Sequence, residues 1–323
     1  MTPTATTPPQ PQSVSDVLEK RIEVGRPDVS DTLAVYPVFY KRPRLRYIAF
    51  GPAGELVAIT EQKGGASVND LTVENKGDAA VLLYEGQELI GAQQNRVLDI
   101  SVLVGPKSVT KIPVSCVEAG RWDGSRRHER FRPSLQAADP ELRRVKQMRV
   151  RENARRGMEP RAIQSEVWDH VAQRGAEVHA SSPTGAMSDI YVQSRDRLGE
   201  LRSAVRLHHR QCGAVVAIDG QIVAMDFVGD SEVWKHLHDA LVEGYALDAL
   251  RRGNGTEHPR KVRMEEIWDF AARAANARAE SRRPGIGVGE NIHFGDGAVT
   301  GNALISEGEL VQLTAYPDAG GPS

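Results

Sequence analysis

Apolar and polar positions alternate with a period of two from about Leu33 to Glu118, the signature of strands with one face turned inward. The runs are LAVYPVFY, RYIAF, ELVAITE, SVNDLTVEN and AAVLLYEG, followed by the longer stretches GQELIGAQQNRVLDISVLVG and SVTKIPVSCVE. Turn signals divide them at Gly51-Pro52, Gly64-Gly65, Lys76-Gly77-Asp78 and Gly105-Pro106-Lys107. Strands so closely spaced predict an antiparallel β-sandwich or a strongly curved sheet in the N-terminal half. From about Pro133 the period lengthens. Pro140-Glu141 opens a charged helix, and Ile163, Val167, Trp168 and Val171 fall at helical spacing. So do Leu198, Leu201 and Val205, then Trp234, Leu237, Leu241 and Tyr245, then Ile267, Trp268, Ala271 and Ala275. Between the second and third helical sets, AVVAI and QIVAMDF flank Asp219-Gly220, a two-residue hairpin signal. A closing hairpin is predicted from NIHFGDGAVTGNALIS and ELVQLTAY. Strands cluster rather than alternate with helices, so the class is α+β. The organisation is a Pro/Thr-rich tail and lead-in over 1–32, a single domain over 33–316, and a tail over 317–323.

One stretch breaks the rule that strands keep polar groups on their wet face. As one continuous strand from Gln87 to Val104, a single face carries Glu88, Ile90, Ala92, Gln94, Arg96, Leu98, Ile100, Val102 and Val104. That face is apolar except for a carboxylate, an amide and a guanidinium at one end. Burying those groups without partners would cost several kcal/mol, so the pattern suits a ligand pocket. The alternative is a β-bulge at Gly91–Asn95 that turns the polar residues outward. Gln93, Gln94, Asn95, Arg96, Arg121 and Trp122 are the candidate ligand-binding residues. Glu118 ends the apolar face of VTKIPVSCV and, with Glu88, is a candidate proton-transfer carboxylate. The plainer reading makes Glu118 a strand-end partner of Arg121 or Arg96.

Composition narrows the picture further. The 323 residues carry a formal net charge of −2, which gives no global reason to expect nucleic acid or membrane. The chain lacks a run of eighteen apolar residues, and MTPTATTPPQPQSV has neither the basic start nor the apolar stretch of a signal peptide. Cys116 and Cys212 are two thiols suited to a reducing compartment, so the expected location is the cytoplasm. Locally the balance shifts: from Arg121 to Arg161 there are 13 basic and 6 acidic residues. That segment is either a rim that attracts a phosphorylated ligand or a solvated arginine-rich helix paired with its own glutamates. No aromatic lies between Arg132 and Pro160, which argues against recognition of nucleic acid by base stacking.

Other motifs reduce to structure. Cys116 shares its face with Val114 and Ile112 and reads as core. A Cys-phosphatase loop would need an arginine where Trp122 stands. Trp168 and Trp268 are expected to fill the space between sheet and helices. Gly285-Ile286-Gly287-Val288-Gly289 lacks the strand before and helix after that a dinucleotide loop requires, so a turn is expected. Neither HExxH nor a Cys–His spacing occurs, the adjacent His208 and His209 point apart, and two carboxylates are too few for Mg²⁺ or Ca²⁺. No metal is expected and no cofactor is assigned.

GQELIGAQQNRV, IPVSCVEAGRW, the helical Gln164–Trp168 pair and GAVVAIDGQIVAMDFVG together resemble the ADP-ribosylglycohydrolase and rhodanese-phosphatase associated protein family, from about Leu33 to Tyr316. The resemblance implies a link to ADP-ribose, nucleotide or phosphate-ester chemistry by association and carries over no catalytic residue. Two functions follow. One is an enzyme-like site for a small phosphorylated or nucleotide-derived metabolite, in which Gln94, Asn95 and Arg96 orient the ligand, Glu118 or Glu88 moves protons, and Arg121 and Trp122 form the rim. The other is a non-catalytic sensing or interaction module built on the same pocket. A third reading, RNA contact through 121–161, predicts steep salt dependence. The oligomeric state is left open.

Overall fold

The computed structural model describes residues 22–40, 45–62, 69–252, 262–277 and 279–318. The Gly64-Gly65 turn, the first 21 residues and residues 319–323 lie outside the described residues. The first half contains β1 (Ile22–Val24), β2 (Asp28–Ser30), β3 (Leu33–Tyr40), β4 (Tyr47–Ala49), β5 (Val57–Glu61) and β6 (Asp70–Asn75). Then come β7 (Ala80–Leu83), β8 (Gln87–Ile90), β9 (Arg96–Leu98), β10 (Val102–Val104), β11 (Ser108–Cys116) and β12 (Arg132–Ala137). Helices α1 (Pro140–Arg155), α2 (Gln164–Glu177), α3 (Met187–Gln193) and α4 (Arg195–Arg202) lead to β13 (Gln211–Ile218) and β14 (Gln221–Val228). The chain continues through α5 (Ser231–Arg252), α6 (Met264–Asn276), β15 (Ala279–Pro284), β16 (Glu290–Gly295), β17 (Val299–Ser306) and β18 (Glu309–Pro317). The class is α+β, with the strands in largely antiparallel sheets.

Asp219 and Gly220 both take positive φ, 50° and 71°, the turn geometry whose twist matches the flanking strands. The β13–β14 hairpin they close is the centre of a nine-stranded sheet ordered β1-β3-β13-β14-β18-β17-β16-β15, with β2 added on β3. Strand β3 therefore leaves the N-terminal set and pairs with β13, Leu33 opposite Ile218. Alternation marks β3 as a strand but carries no record of its partner. One face of this sheet packs on α5 through Trp234, Leu237, Leu241 and Tyr245, all buried. The opposite face carries Val215, Phe227, Phe294 and Leu313 and is covered by Ile267, Phe270, Ala271 and Ala274 of α6. Trp268 does not join them: it is 42% exposed, because it lies one residue, about 100° of helix rotation, away from Ile267. Trp168 is half-buried.

The remaining N-terminal strands form a six-stranded sheet, β12-β8-β9-β11-β6-β5, and a three-stranded one, β10-β7-β4, around a core that includes Ile59, Leu71, Val73, Leu98 and Ile112. Two expectations need correction. The stretch 87–104 is not one strand: Gly91 (φ 138°) and Ala92 (φ 46°) turn the chain, and β8 folds back on β9 with Glu88 opposite Val97. Gly91 is required there, because a Cβ would meet the Arg130 carbonyl oxygen at 2.9 Å. The closing segment is a three-stranded meander, because Asp296-Gly297, inside the run expected to form one arm, makes a second turn. Among the described residues no helix is long and apolar enough to cross a membrane.

Candidate functional site

The β8–β9 loop carries Gln93, Gln94 and Asn95, and they turn inward with Arg96 rather than outward as a simple bulge would place them. Arg96 is fully enclosed. Its guanidinium donates to Gln94 Oε1 at 3.0 Å and to Glu61 Oε1 at 3.4 Å, and lies 5.9 Å from the Trp122 ring centroid. A buried cation needs a counter-charge, and Glu61 on β5 supplies it. Trp122, 50% exposed, roofs this pair.

Glu118 binds the loop to the chain beyond β11. Its Oε2 pairs with Arg121 at 2.7 Å and accepts the Asn95 amide at 3.2 Å, while Oε1 accepts the Thr184 hydroxyl at 3.0 Å. Gln94 Nε2 donates to the Glu118 carbonyl at 2.9 Å. Arg121 also donates to the Ala92 carbonyl at 2.8 Å and to Asn95 Oδ1 at 3.0 Å. Burial would raise the Glu118 pKa, but the hydrogen bond and charge of Arg121 with the Asn95 amide outweigh it and hold the carboxyl below its usual range. The raised pKa expected of a general base is therefore not found at Glu118.

Glu88 is the opposite case. It is fully buried; Gln136 Nε2 donates to its Oε2 at 2.7 Å, and its Oε1 has no hydrogen-bond partner among the described residues. Burial, with the negative charges of Glu118 and Asp189 adding to it, raises the carboxyl to about 7 despite the Ser134 and Gln136 side chains. Between Leu89↔Pro133 and Gln87↔Ala137 the pairing register shifts, so Ser134, Leu135 and Gln136 of β12 bulge around this one residue. The two carboxylates expected as a pair thus sense each other's charge but share no partner. Among the described residues no group of three or more Asp, Glu, His or Cys side chains is arranged to hold a metal ion.

Cys116 is buried, its thiol pushed up to about 11 chiefly by burial, and its backbone is held on both sides by the Gln164 amide at 2.8 Å. The glycine-rich 285–289 segment is the β15–β16 turn, closed by Gly285 N–H to the Gly289 carbonyl at 2.8 Å and docked on β10 through Val288 N–H to the Leu103 carbonyl at 2.7 Å.

The basic segment divides in two. On α1 Arg149 pairs with Glu166 and Arg151 with Glu280, and beyond the helix Arg161 pairs with Asp70. Pairing with its own glutamate is also present, since Glu152 takes Arg156 at 2.6 Å and Arg149 at 3.4 Å. Before it, residues 126–133 wall an open groove of about 940 Å³, faced by Phe50, Glu55, Val57 and Ile90. Arg126 is clamped by Glu129 at 2.7 Å, whereas Arg130 and Arg132 are exposed with no acidic partner among the described residues. Gly91, the first residue of the β8–β9 loop, forms part of the groove wall, and the Gln93 carbonyl of the same loop accepts at 3.3 Å the N–H of Asp123, three residues before Arg126.

A larger polar assembly escaped the sequence pattern. Asp226 on β14 accepts from Arg143, from Tyr84 at 2.7 Å and from Tyr245 at 2.6 Å. Glu85 accepts from Arg143 at 3.2 Å and from Tyr316, Gln147 and Asn302. The Arg143 guanidinium lies 5.6 Å and 5.7 Å from the rings of Tyr84 and Tyr316. Beside it Lys146 pairs with Asp99 at 3.2 Å. The available signal was Arg143, Gln147 and Arg151 at four-residue spacing, a polar stripe along α1 where an inward face is usually apolar. Both carboxylates have a full set of donors, so this assembly is a tie between α1 and the large sheet.

None of the curated proteins and none of the solved structures matches the chain. A family model does, over residues 21–316, which takes in both the β8–β9 loop and the groove. On that match the chain belongs to the family of the ARG and Rhodanese-Phosphatase-superfamily-associated Protein domain, ARPP-1.

Proposed function

We propose that this protein binds a small phosphorylated, nucleotide-like ligand in the groove between residues 50–57 and 126–133. The observation that carries the reading is the pair of exposed guanidiniums, Arg130 and Arg132, which have no acidic partner among the described residues while the arginines of α1 named above are paired. Unpaired arginines beside apolar walls suit a phosphate joined to an organic group, since the guanidinium fork matches phosphate oxygens and Phe50, Ile90 and Pro133 offer carbon surface. In this reading Gln93, Gln94, Asn95, Arg96 and Arg121 are the frame that fixes the groove wall, and Trp122 is an exposed ring at its margin. With Glu88 enclosed and Glu118 tied to Arg121, the reading gives neither a proton-transfer role, so it is one of binding. The family's name, which associates it with the Rhodanese-Phosphatase superfamily, is in line with phosphate-bearing ligands, and the resemblance noted from the sequence adds an association with ADP-ribose or nucleotide metabolism.

The test is a thermal-shift panel of ADP-ribose, NAD, nucleotides and sugar phosphates on the wild type and on Arg130→Ala/Arg132→Ala. A ligand at a hundred times its dissociation constant stabilises the folded chain by about 2.7 kcal/mol, a rise of several degrees. The expected result is a rise with one phosphorylated class, lost in the double variant. A flat panel refutes the groove reading and favours an interaction module, for which partner capture is the next step.

A further inference from the structure

The two unpaired arginines are placed by the residue between them. Phe131 is buried, and its amide donates to the Ile59 carbonyl at 2.9 Å. Arg130 and Arg132 are both exposed, and both line the groove with Glu129, Phe131 and Pro133. Residues two apart in an extended chain stand roughly 6.5 Å apart with side chains running in parallel. Two guanidiniums with no ion pair among the described residues, in one groove, offer two anion sites. The third groove arginine is not a competitor for the same charge, because Glu129 already holds Arg126 through two of its nitrogens. A groove of about 940 Å³ is also far larger than one phosphate, and its opposite wall offers the carbon surface of Phe50, Val57 and Ile90 beside the Glu55 carboxylate.

We propose that the groove selects a ligand with two adjacent phosphoryl groups, a diphosphate ester, one phosphoryl on each of Arg130 and Arg132, with its organic substituent against Phe50 and Ile90. The proposal rests on the binding reading above and narrows it to a ligand class. It separates diphosphates from monophosphates and from anions of similar charge without the linked pair.

Isothermal titration of the full chain with inorganic phosphate, pyrophosphate and citrate tests it, on the wild type, Arg130→Ala and Arg132→Ala. Both positions are exposed, and each variant is first checked for an unchanged melting temperature. Pyrophosphate is expected to bind at least about tenfold more tightly than phosphate or citrate. Either single substitution should bring pyrophosphate down to the phosphate level while changing phosphate affinity only a few-fold. Equal affinities for phosphate and pyrophosphate, or citrate matching pyrophosphate, overturn the diphosphate proposal and leave the binding reading standing. Loss of phosphate binding in either single variant also overturns it, since one phosphate then spans both arginines. If none of these anions binds the wild type and the nucleotide panel is flat, the binding reading falls as well.

Discussion

Replacing Glu88 by glutamine should change how stability depends on pH, and the size of the change follows from the burial of this carboxyl. An unfolded glutamate titrates near 4.5, whereas in the folded chain burial and the charges of Glu118 and Asp189 raise Glu88 to about 7. Below 4.5 both forms hold the proton and Glu88 is neutral in each. Between 4.5 and 7 the unfolded chain has released it while the folded chain keeps it, so stability falls as pH rises through this window. Above 7 the whole cost is present, about 3 kcal/mol from the difference between the two values. Glu88→Gln keeps an acceptor for Gln136 and has no charge to bury. Urea unfolding at a series of pH values from 5 to 8.5 reads the difference through the midpoint at constant slope. The variant should match the wild type to within about 1 kcal/mol near pH 5 and exceed it by about 2–3 kcal/mol at pH 8.5. Curves that stay parallel over this range, or a variant that is weaker at pH 8.5, would refute the reasoning.

Arg143→Met removes the shared cation from Glu85 and Asp226 and should cost about 3–5 kcal/mol in urea unfolding; a loss under about 1 kcal/mol would mean the network is not a tie. Glu118→Gln leaves Arg121 without its ion pair and weakens the bond to the Asn95 amide, so hydrogen exchange at residues 92–95 should accelerate about tenfold or more while β13 is unaffected. Cys116 should resist iodoacetamide at pH 8 in the folded chain and react on addition of denaturant, as followed by mass spectrometry; rapid labelling of the native chain would contradict its burial and raised pKa. Gly220→Ala forces an L side chain into positive φ and should lower stability by about 1 kcal/mol; no change in the melting temperature would count against the tight Asp219-Gly220 turn.

Local periodicity made much of the fold legible. The Asp219-Gly220 hairpin, the α5 stripe of Trp234, Leu237, Leu241 and Tyr245, and the Pro140 helix start all follow from signals within a few residues of one another. Partner choice was not legible: nothing near Leu33 says that it lies against Ile218, 185 residues on by the numbering. The same limit applies to the candidate site. Gln94 and Arg96 stood out because polar groups had entered an apolar face; it is the turn at Gly91–Ala92, not that single strand, that buries them together with Gln93 and Asn95. That Glu61 would neutralise Arg96 depended on two strands brought together by the fold. Arg130 and Arg132 looked like any other members of a basic run. What marks them is that both line the groove without an ion pair among the described residues, and sequence neighbours do not report that.

The Glu85–Arg143–Asp226 assembly also bears on the order in which the chain can mature. Tyr316 reaches Glu85 across 231 positions, and Tyr84 reaches Asp226 across 142. Closing such distant contacts requires loop entropy to be spent before the contacts can offset it, which slows folding. Until β18 docks, the Glu85 carboxylate lacks one of its donors. A nascent chain therefore leaves Glu85, between β7 and β8, without the Tyr316 hydroxyl until synthesis has passed that residue. The N-terminal strands on their own are expected to remain an unlocked intermediate, vulnerable to proteases, with the last strand acting as the latch.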